Sequence, residues 1–220
     1  MIDEDSARQA LVATGRMLHD LGLTPGTSGN LSVVTSRGVV VTPTNSRLGR
    51  LEPDGLSLVR MDGQHLAGPR PSKEAVLHAA VYRRRTDAGA VVHLHSTAAV
   101  AWSMLQGLPG DDALPPLTAY SLIRLGIVRR IGFHAPGSPA LVEEVERAIT
   151  GHRALLLANH GSIFADETIE AACAGAEELE ETARLALLLG ERSHCPVPMA
   201  ARAALLRDGE ADLAGKDVPS

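Results

Sequence analysis

Apolar and polar positions alternate along this chain with two distinct periods. Over residues 5–23, Ala7, Ala10, Leu11, Thr14, Leu18 and Leu21 recur at helical spacing, and Leu23-Thr24-Pro25-Gly26 ends the run. Two short β-branched runs, 31–34 and 39–41, flank Ser36-Arg37-Gly38 and predict a hairpin; 56–60 and 64–66 flank Asp62-Gly63 and predict another. Pro71-Ser72-Lys73-Glu74 opens a helix to about Arg85, with Val76, Leu77, Ala80 and Val81 on its inner side. Residues 90–94 form an apolar run of strand length, and Ser96 is placed to cap a helix running to Leu105. A Pro- and Gly-rich loop spans 107–116, followed by a helix over 118–125 and a strand over 128–133. Ser138-Pro139 starts a helix to Ile149. Strands over 154–157 and 162–165 bracket Asn159-His160-Gly161, the longest helix covers 167–189, and a terminal helix covers 198–206. Hairpins first, then single strands between helices, predict an α/β domain: a largely antiparallel central sheet with helices packed on it. No Gly-x-Gly-x-x-Gly follows the first strand, which argues against a dinucleotide fold.

Composition narrows the functional classes. A chain of 220 residues is the length of one domain, expected over 1–207, with a flexible polar tail over 208–220. A body of that size buries roughly 70% of its unfolded surface and needs no disulfide staple. The net charge of −5 gives no basic field for nucleic acid. No apolar run approaches the ~18 residues of a membrane span, and Met1-Ile2-Asp3-Glu4-Asp5 is unlike the basic start of a signal peptide. Two cysteines, Cys173 and Cys195, fit a reduced, cytoplasmic chain. Five aromatic residues leave little material for stacking on bases or sugars, whereas there are nine histidines.

The histidine spacing carries chemistry. His93 and His95 stand two apart on a predicted strand and so share a face. Alone the pair fits either metal ligands or polar residues at a strand end. His160, delivered to a turn before Gly161, would complete a three-histidine site with an open position. Glu74, in the first turn of its helix, reads as a dipole-complementing or capping residue with Ser72, or as a general acid/base beside the metal. His78 lies one turn further on the same face, as a ligand or as a core residue. Three segments are suited to an anion: Gly26-Thr27-Ser28-Gly29-Asn30, Thr42-Pro43-Thr44-Asn45-Ser46, and Ser72-Lys73 at a helix start. None is a P-loop, and no Gly-x-Ser-x-Gly elbow supports serine hydrolysis. His19, His65, His134, His152 and His194 have no metal-like spacing; Arg83-Arg84-Arg85 and the acids Glu177, Glu178, Glu180 and Glu181 read as solvated helix faces.

Taken in order, Gly26-Thr27-Ser28-Gly29-Asn30-Leu31-Ser32, Thr42-Pro43-Thr44, Pro71-Ser72-Lys73-Glu74, Val92-His93-Leu94-His95 and Asn159-His160-Gly161 resemble the class II aldolase/adducin family over roughly residues 5–190. The resemblance implies a three-layer α/β/α domain with a mainly antiparallel sheet, and a homotetramer with its active site between subunits. It implies zinc on His93, His95 and His160, with manganese or cobalt as alternatives, and Glu74 as a further ligand and the acid/base. Phosphate falls to Ser28, Gly29, Asn30, Thr44, Asn45, Ser72 and Lys73, and Tyr120 matches a proton-donating tyrosine. Asn45 and Lys73 depart from fuculose-phosphate-aldolase-like chains, which carry Gly and Ser there. Pro71-x-Lys73-Glu74-x-x-Leu77-His78 and Leu114-Pro115-Pro116-Leu117-Thr118-Ala119-Tyr120 resemble the 3-oxo-tetronate 4-phosphate decarboxylase branch more closely. Both chemistries break a carbon–carbon bond beta to a ketone and leave the same dihydroxyacetone-phosphate enediolate. A sugar-phosphate aldolase, a pentose-phosphate 4-epimerase and a non-enzymatic adducin-like module are the other activities the resemblance allows. A small phosphorylated sugar or sugar acid is the implied partner.

Overall fold

The computed structural model describes residues 2–214. Helix α1 (Glu4–Asp20) leads into the hairpin β1 (Asn30–Thr35) and β2 (Gly38–Val41), then β3 (Ser57–Val59) and β4 (His65–Ala67). Helix α2 (Ala75–Arg84) precedes β5 (Ala90–Leu94), α3 (Thr97–Ser103), α4 (Ala119–Leu125) and β6 (Arg129–Ile131). The chain continues through α5 (Pro139–Ala148), β7 (Ala154–Leu157), β8 (Gly161–Asp166), α6 (Ile169–Leu189) and α7 (Met199–Ala214). The terminal helix thus runs into the segment expected as a tail; the rest of that tail, 215–220, lies outside the described residues.

The strands form one sheet in the order β4-β3-β2-β1-β5-β8-β7-β6, antiparallel except for the β6–β7 pair. That pair is joined through α5, the crossover a parallel pair requires. Beneath one face lie Leu11 and Leu18 of α1 and Ala172, Cys173 and Leu179 of α6, against Leu31, Val92, Leu94 and Phe164. The other face carries Leu77 and Val81 of α2 and Leu141 and Val145 of α5, against Val39, Val91 and Ile163. This is the three-layer α/β/α arrangement expected. β5 is buried throughout, which is why its sequence reads as an apolar run rather than as alternation. No helix among the described residues is long and apolar enough to cross a membrane.

Two helix faces expected to be solvated each carry a buried member. Arg83 and Arg84 pair with Glu146 of α5, and Arg85 is buried, bonded to Asp87 and the His152 carbonyl. The run therefore fastens α2 to its neighbours. In α6, Glu180 is buried, and its two oxygens accept the Ala98 and Ala99 backbone N–H groups at 2.8 Å each. A carboxylate at a helix N-terminus satisfies unpaired donors and meets the positive end of the dipole. Ser96 occupies the N-cap of α3, but its hydroxyl makes no capping bond; Glu180 does that work from across the layer.

Candidate metal centre

Strand pairing brings the histidines together. In β5, His93 stands opposite Asn30 of β1 on one side and Ile163 of β8 on the other. His95 follows the end of the strand, on the same face. The tight turn from β7 to β8 carries His160. Asn159 takes the left-handed conformation there, φ 57°, and its N–H donates to the Ser103 hydroxyl at the end of α3. A side chain at Gly161 would place its Cβ 2.1 Å from the Leu94 carbonyl oxygen, so glycine lets the turn close onto β5. The three imidazole rings lie with centroids 4.7–5.0 Å apart, edge to face.

Glu74 enters from the opposite side. It occupies the N-cap of α2 but makes no capping bond with its side chain; instead the Ser72 hydroxyl accepts the Glu74 N–H. The carboxylate points into the histidines. Its Oε2 is 3.2 Å from His93 Nε2 and 3.9 Å from His95 Nε2, and its Oε1 is 3.0 Å from His160 Nε2. One ligand atom from each of the four residues falls within 4.8 Å of the others. His93, His160 and Glu74 are buried, while His95 is partly exposed and marks the open side.

This donor set fits a divalent ion. Glu74 Oε1 and His160 Nε2 are buried and, despite their closeness, are not aligned as a hydrogen bond. His93 Nδ1 donates to the Ser162 carbonyl at 2.8 Å, which turns Nε2 inward. Burial works against the Glu74 carboxylate, but the charge on His93 and the contacts with His160 and His93 outweigh it and hold its pKa far below the usual range. Burial and the neighbouring His93 and His160 push His95 down to about 3, so its ring is a neutral donor. Glu74 raises the His93 pKa against the effect of burial, and a metal ion at this position would take over that attraction.

The Class II Aldolase and Adducin N-terminal domain matches residues 9–187. The chain belongs to the class II aldolase and adducin family. It is 44% identical over 180 residues to the 3-oxo-tetronate 4-phosphate decarboxylase of Haemophilus influenzae, covering 81% of this chain and 85% of that one. The crystal structure of YgbL from Escherichia coli superposes with a TM-score of 0.90 at 37% identity, over 92% of this chain and 99% of that one. An L-fuculose 1-phosphate aldolase structure superposes at 0.82 with 26% identity, over 93% and 96%.

The anion-suited loops of this class II aldolase-family chain gather beside the four-residue cluster. Gly29, at φ 82°, would put a Cβ 2.9 Å from the His93 carbonyl oxygen. The Thr42–Thr44 segment pairs with 70–72 through Ser72 N–H to the Thr42 carbonyl and Thr44 N–H to the Arg70 carbonyl. Asn45 takes φ 57°, the left-handed conformation that the glycine of aldolase-like chains would adopt freely. Lys73 is exposed beside Glu74. Two expected phosphate side chains are already committed: the Ser28 hydroxyl donates to the Pro25 carbonyl, and the Asn30 amide donates to Glu74 Oε2 at 2.9 Å. Tyr120 is 69% exposed on α4, and no hydrogen bond or ring contact joins it to the cluster within the described residues. Two features were not evident from the sequence: the partners of Asn30 and the buried contacts of Glu180. The spacing of Glu74, His78 and Tyr82 at every fourth residue was the visible signal for the first.

Proposed function

We propose that this chain is a metal-dependent carbon–carbon lyase that decarboxylates 3-oxo-tetronate 4-phosphate to dihydroxyacetone phosphate and carbon dioxide. The convergence of His93, His95, His160 and Glu74 in one cluster carries this reading; the name borne by the Haemophilus influenzae relative supports the substrate. The four residues would hold zinc, or manganese or cobalt, which the same donors accept. When bound, the ion supplies a Lewis acid where negative charge develops on the ketone and neighbouring hydroxyl oxygens.

The chain's own residues do the rest. The Gly29, Asn45 and Lys73 backbone N–H groups, the Thr44 and Ser72 hydroxyls, and the Lys73 ammonium take the phosphate. Asn30 joins that pocket to Glu74. Anchoring the phosphate places the breaking bond over the cluster and removes much of the entropy cost of reaction. The bond from the substrate's carboxylate to its hydroxyl-bearing carbon breaks, its electron pair passes into the enediolate, and carbon dioxide leaves. Glu74, turned away from the histidines that depress its pKa, takes up a solvent proton and delivers it to that carbon, closing dihydroxyacetone phosphate. Tyr120 of α4, contributed from a neighbouring subunit of a homotetramer, is a second proton donor on the open side by His95. Both described cysteines are free, which supports a reducing, cytoplasmic setting.

Zinc-loaded protein incubated separately with 3-oxo-tetronate 4-phosphate and with L-fuculose 1-phosphate tests the reading. Dihydroxyacetone phosphate and carbon dioxide from the first substrate are expected. Dihydroxyacetone phosphate from the sugar phosphate alone would turn the assignment to an aldolase.

A further inference from the structure

Between α2 and β1 lies a row of polar side chains where an apolar layer would be expected. Glu74, His78 and Tyr82 follow each other every four residues, and Asn30 and Ser32 stand two apart on the strand. Four helical residues rise about 6.0 Å, and two strand residues about 6.6–6.8 Å. The rows are therefore nearly commensurate, and their side chains interleave. Asn30 Nδ2 donates to Glu74 Oε2 at 2.9 Å, and His78 Nε2 meets Asn30 Oδ1 at 2.5 Å. Ser32 Oγ meets His78 Nδ1 at 2.6 Å and the Tyr82 hydroxyl at 2.7 Å. All five side chains are buried.

Chemistry gives this ladder one direction. A carboxylate only accepts, so Asn30 turns its amide N–H to Glu74 and its carbonyl to His78. His78 must then carry its proton on Nε2, leaving Nδ1 to accept the Ser32 hydroxyl. The Ser32 oxygen in turn accepts from Tyr82, whose proton also faces the Ser32 carbonyl at 3.2 Å. Burial, with His93 nearby, pushes the His78 pKa down to about 3, so the imidazole is neutral and no charge enters the row. A buried polar network is costly unless its members are satisfied; here only Glu74 Oε1 lacks a hydrogen bond, and it faces the histidines.

We propose that the ladder positions Glu74, tying Oε2 to Asn30 so that Oε1 faces His160, and that His78 is a positioning residue touching neither metal nor substrate. The inference rests on Glu74 as a metal ligand and acid/base, and is independent of which phosphorylated substrate is cleaved.

The test begins with the unaltered zinc-loaded protein carrying 15N-labelled histidine. Ring nitrogen–proton correlations are expected to show His78 as the Nε2–H tautomer; the Nδ1–H tautomer would overturn the proposal. Zinc affinity, by competition with a chromogenic chelator, is expected to fall about 10–100-fold in His78→Leu. In that variant kcat should fall while KM for the phosphorylated substrate holds. His78→Gln keeps an N–H for Asn30 Oδ1 and should recover most of the affinity, although its melting temperature drops as in His78→Leu. Tyr82→Phe should bind zinc as the unaltered protein does, because the Ser32 hydroxyl keeps its acceptor. Wild-type zinc affinity in His78→Leu, or affinity that tracks melting temperature through both His78 variants, would reduce the ladder to a packing feature. If His78→Leu does not fold, the tautomer and the His78→Gln affinity decide. If zinc affinity splits as expected while 3-oxo-tetronate 4-phosphate is not turned over, the ladder stands and the substrate assignment falls.

Discussion

Glu74 is held from two sides, by imidazoles in front and by an asparagine amide behind. Neither partner can replace the proton transfer proposed for it. Glu74→Gln preserves the shape and can still present an oxygen to Asn30. Turnover is expected to fall about 10²–10⁴-fold, the usual contribution of a general acid/base, with phosphate-ligand binding unchanged by calorimetry. Near wild-type turnover with zinc in place would leave Glu74 as a ligand alone. His93→Ala removes a donor whose Nδ1 is anchored on Ser162; zinc content by elemental analysis and activity are expected to fall together. The convergence of the three histidines was legible in the sequence, since two-residue spacing on a strand and a turn before glycine both select a face or an exit direction. The Asn30–His78 link was not, because its partners are 48 residues apart and helix and strand each show half of the pattern.

At the scale of elements, α3 connects the two halves of the cluster. It starts two residues after His95, is capped by Glu180 of α6, and ends at Ser103, whose hydroxyl accepts the N–H of Asn159 beside His160. Glu180→Ala leaves two N-terminal donors in a buried layer without their acceptor. A loss of about 1–3 kcal/mol is expected by urea denaturation. Glu181→Ala, one residue on and more than half exposed, is expected to change stability by less than about 0.5 kcal/mol. Equal effects would remove Glu180 from this role. The elements were largely visible in the hydrophobic periods: all eight strands fall within or beside the expected runs. Within the acidic run of α6 only Glu180 departs from a solvated face, because helical spacing shows which acids share a face, whereas burial depends on what packs against that face. The same limit applies to Arg85, which sequence places at a helix end and tertiary packing buries.

Two expectations belong to the whole molecule. Light scattering should give a tetramer, and Tyr120→Phe should lower turnover without changing zinc content; a fully active monomer would exclude a site completed by a neighbour. Acid should weaken the fold through His78, whose pKa in the folded chain is pushed down to about 3 from the 6.5 of a free imidazole. The unfolded chain takes up this proton first, so its contribution is fully present above about pH 6.5 and is lost as pH falls toward 3, at up to roughly 1.4 kcal/mol per pH unit. His93 opposes and Glu74 favours the same protonation. Denaturation midpoints of the protein and of His78→Gln between pH 7 and pH 4 should diverge accordingly. The strand order also dictates a sequence of events during synthesis. β5 pairs with β1 on one side and with β8 on the other, yet β8 is translated 67 residues after β5 ends. Until then, the Ala90–Leu94 edge has no lysine or proline to discourage pairing with another chain. A ribosome-released fragment ending at residue 150 is therefore expected to aggregate along that edge, whereas a chain that has reached β8 is expected to cover it and stay dispersed.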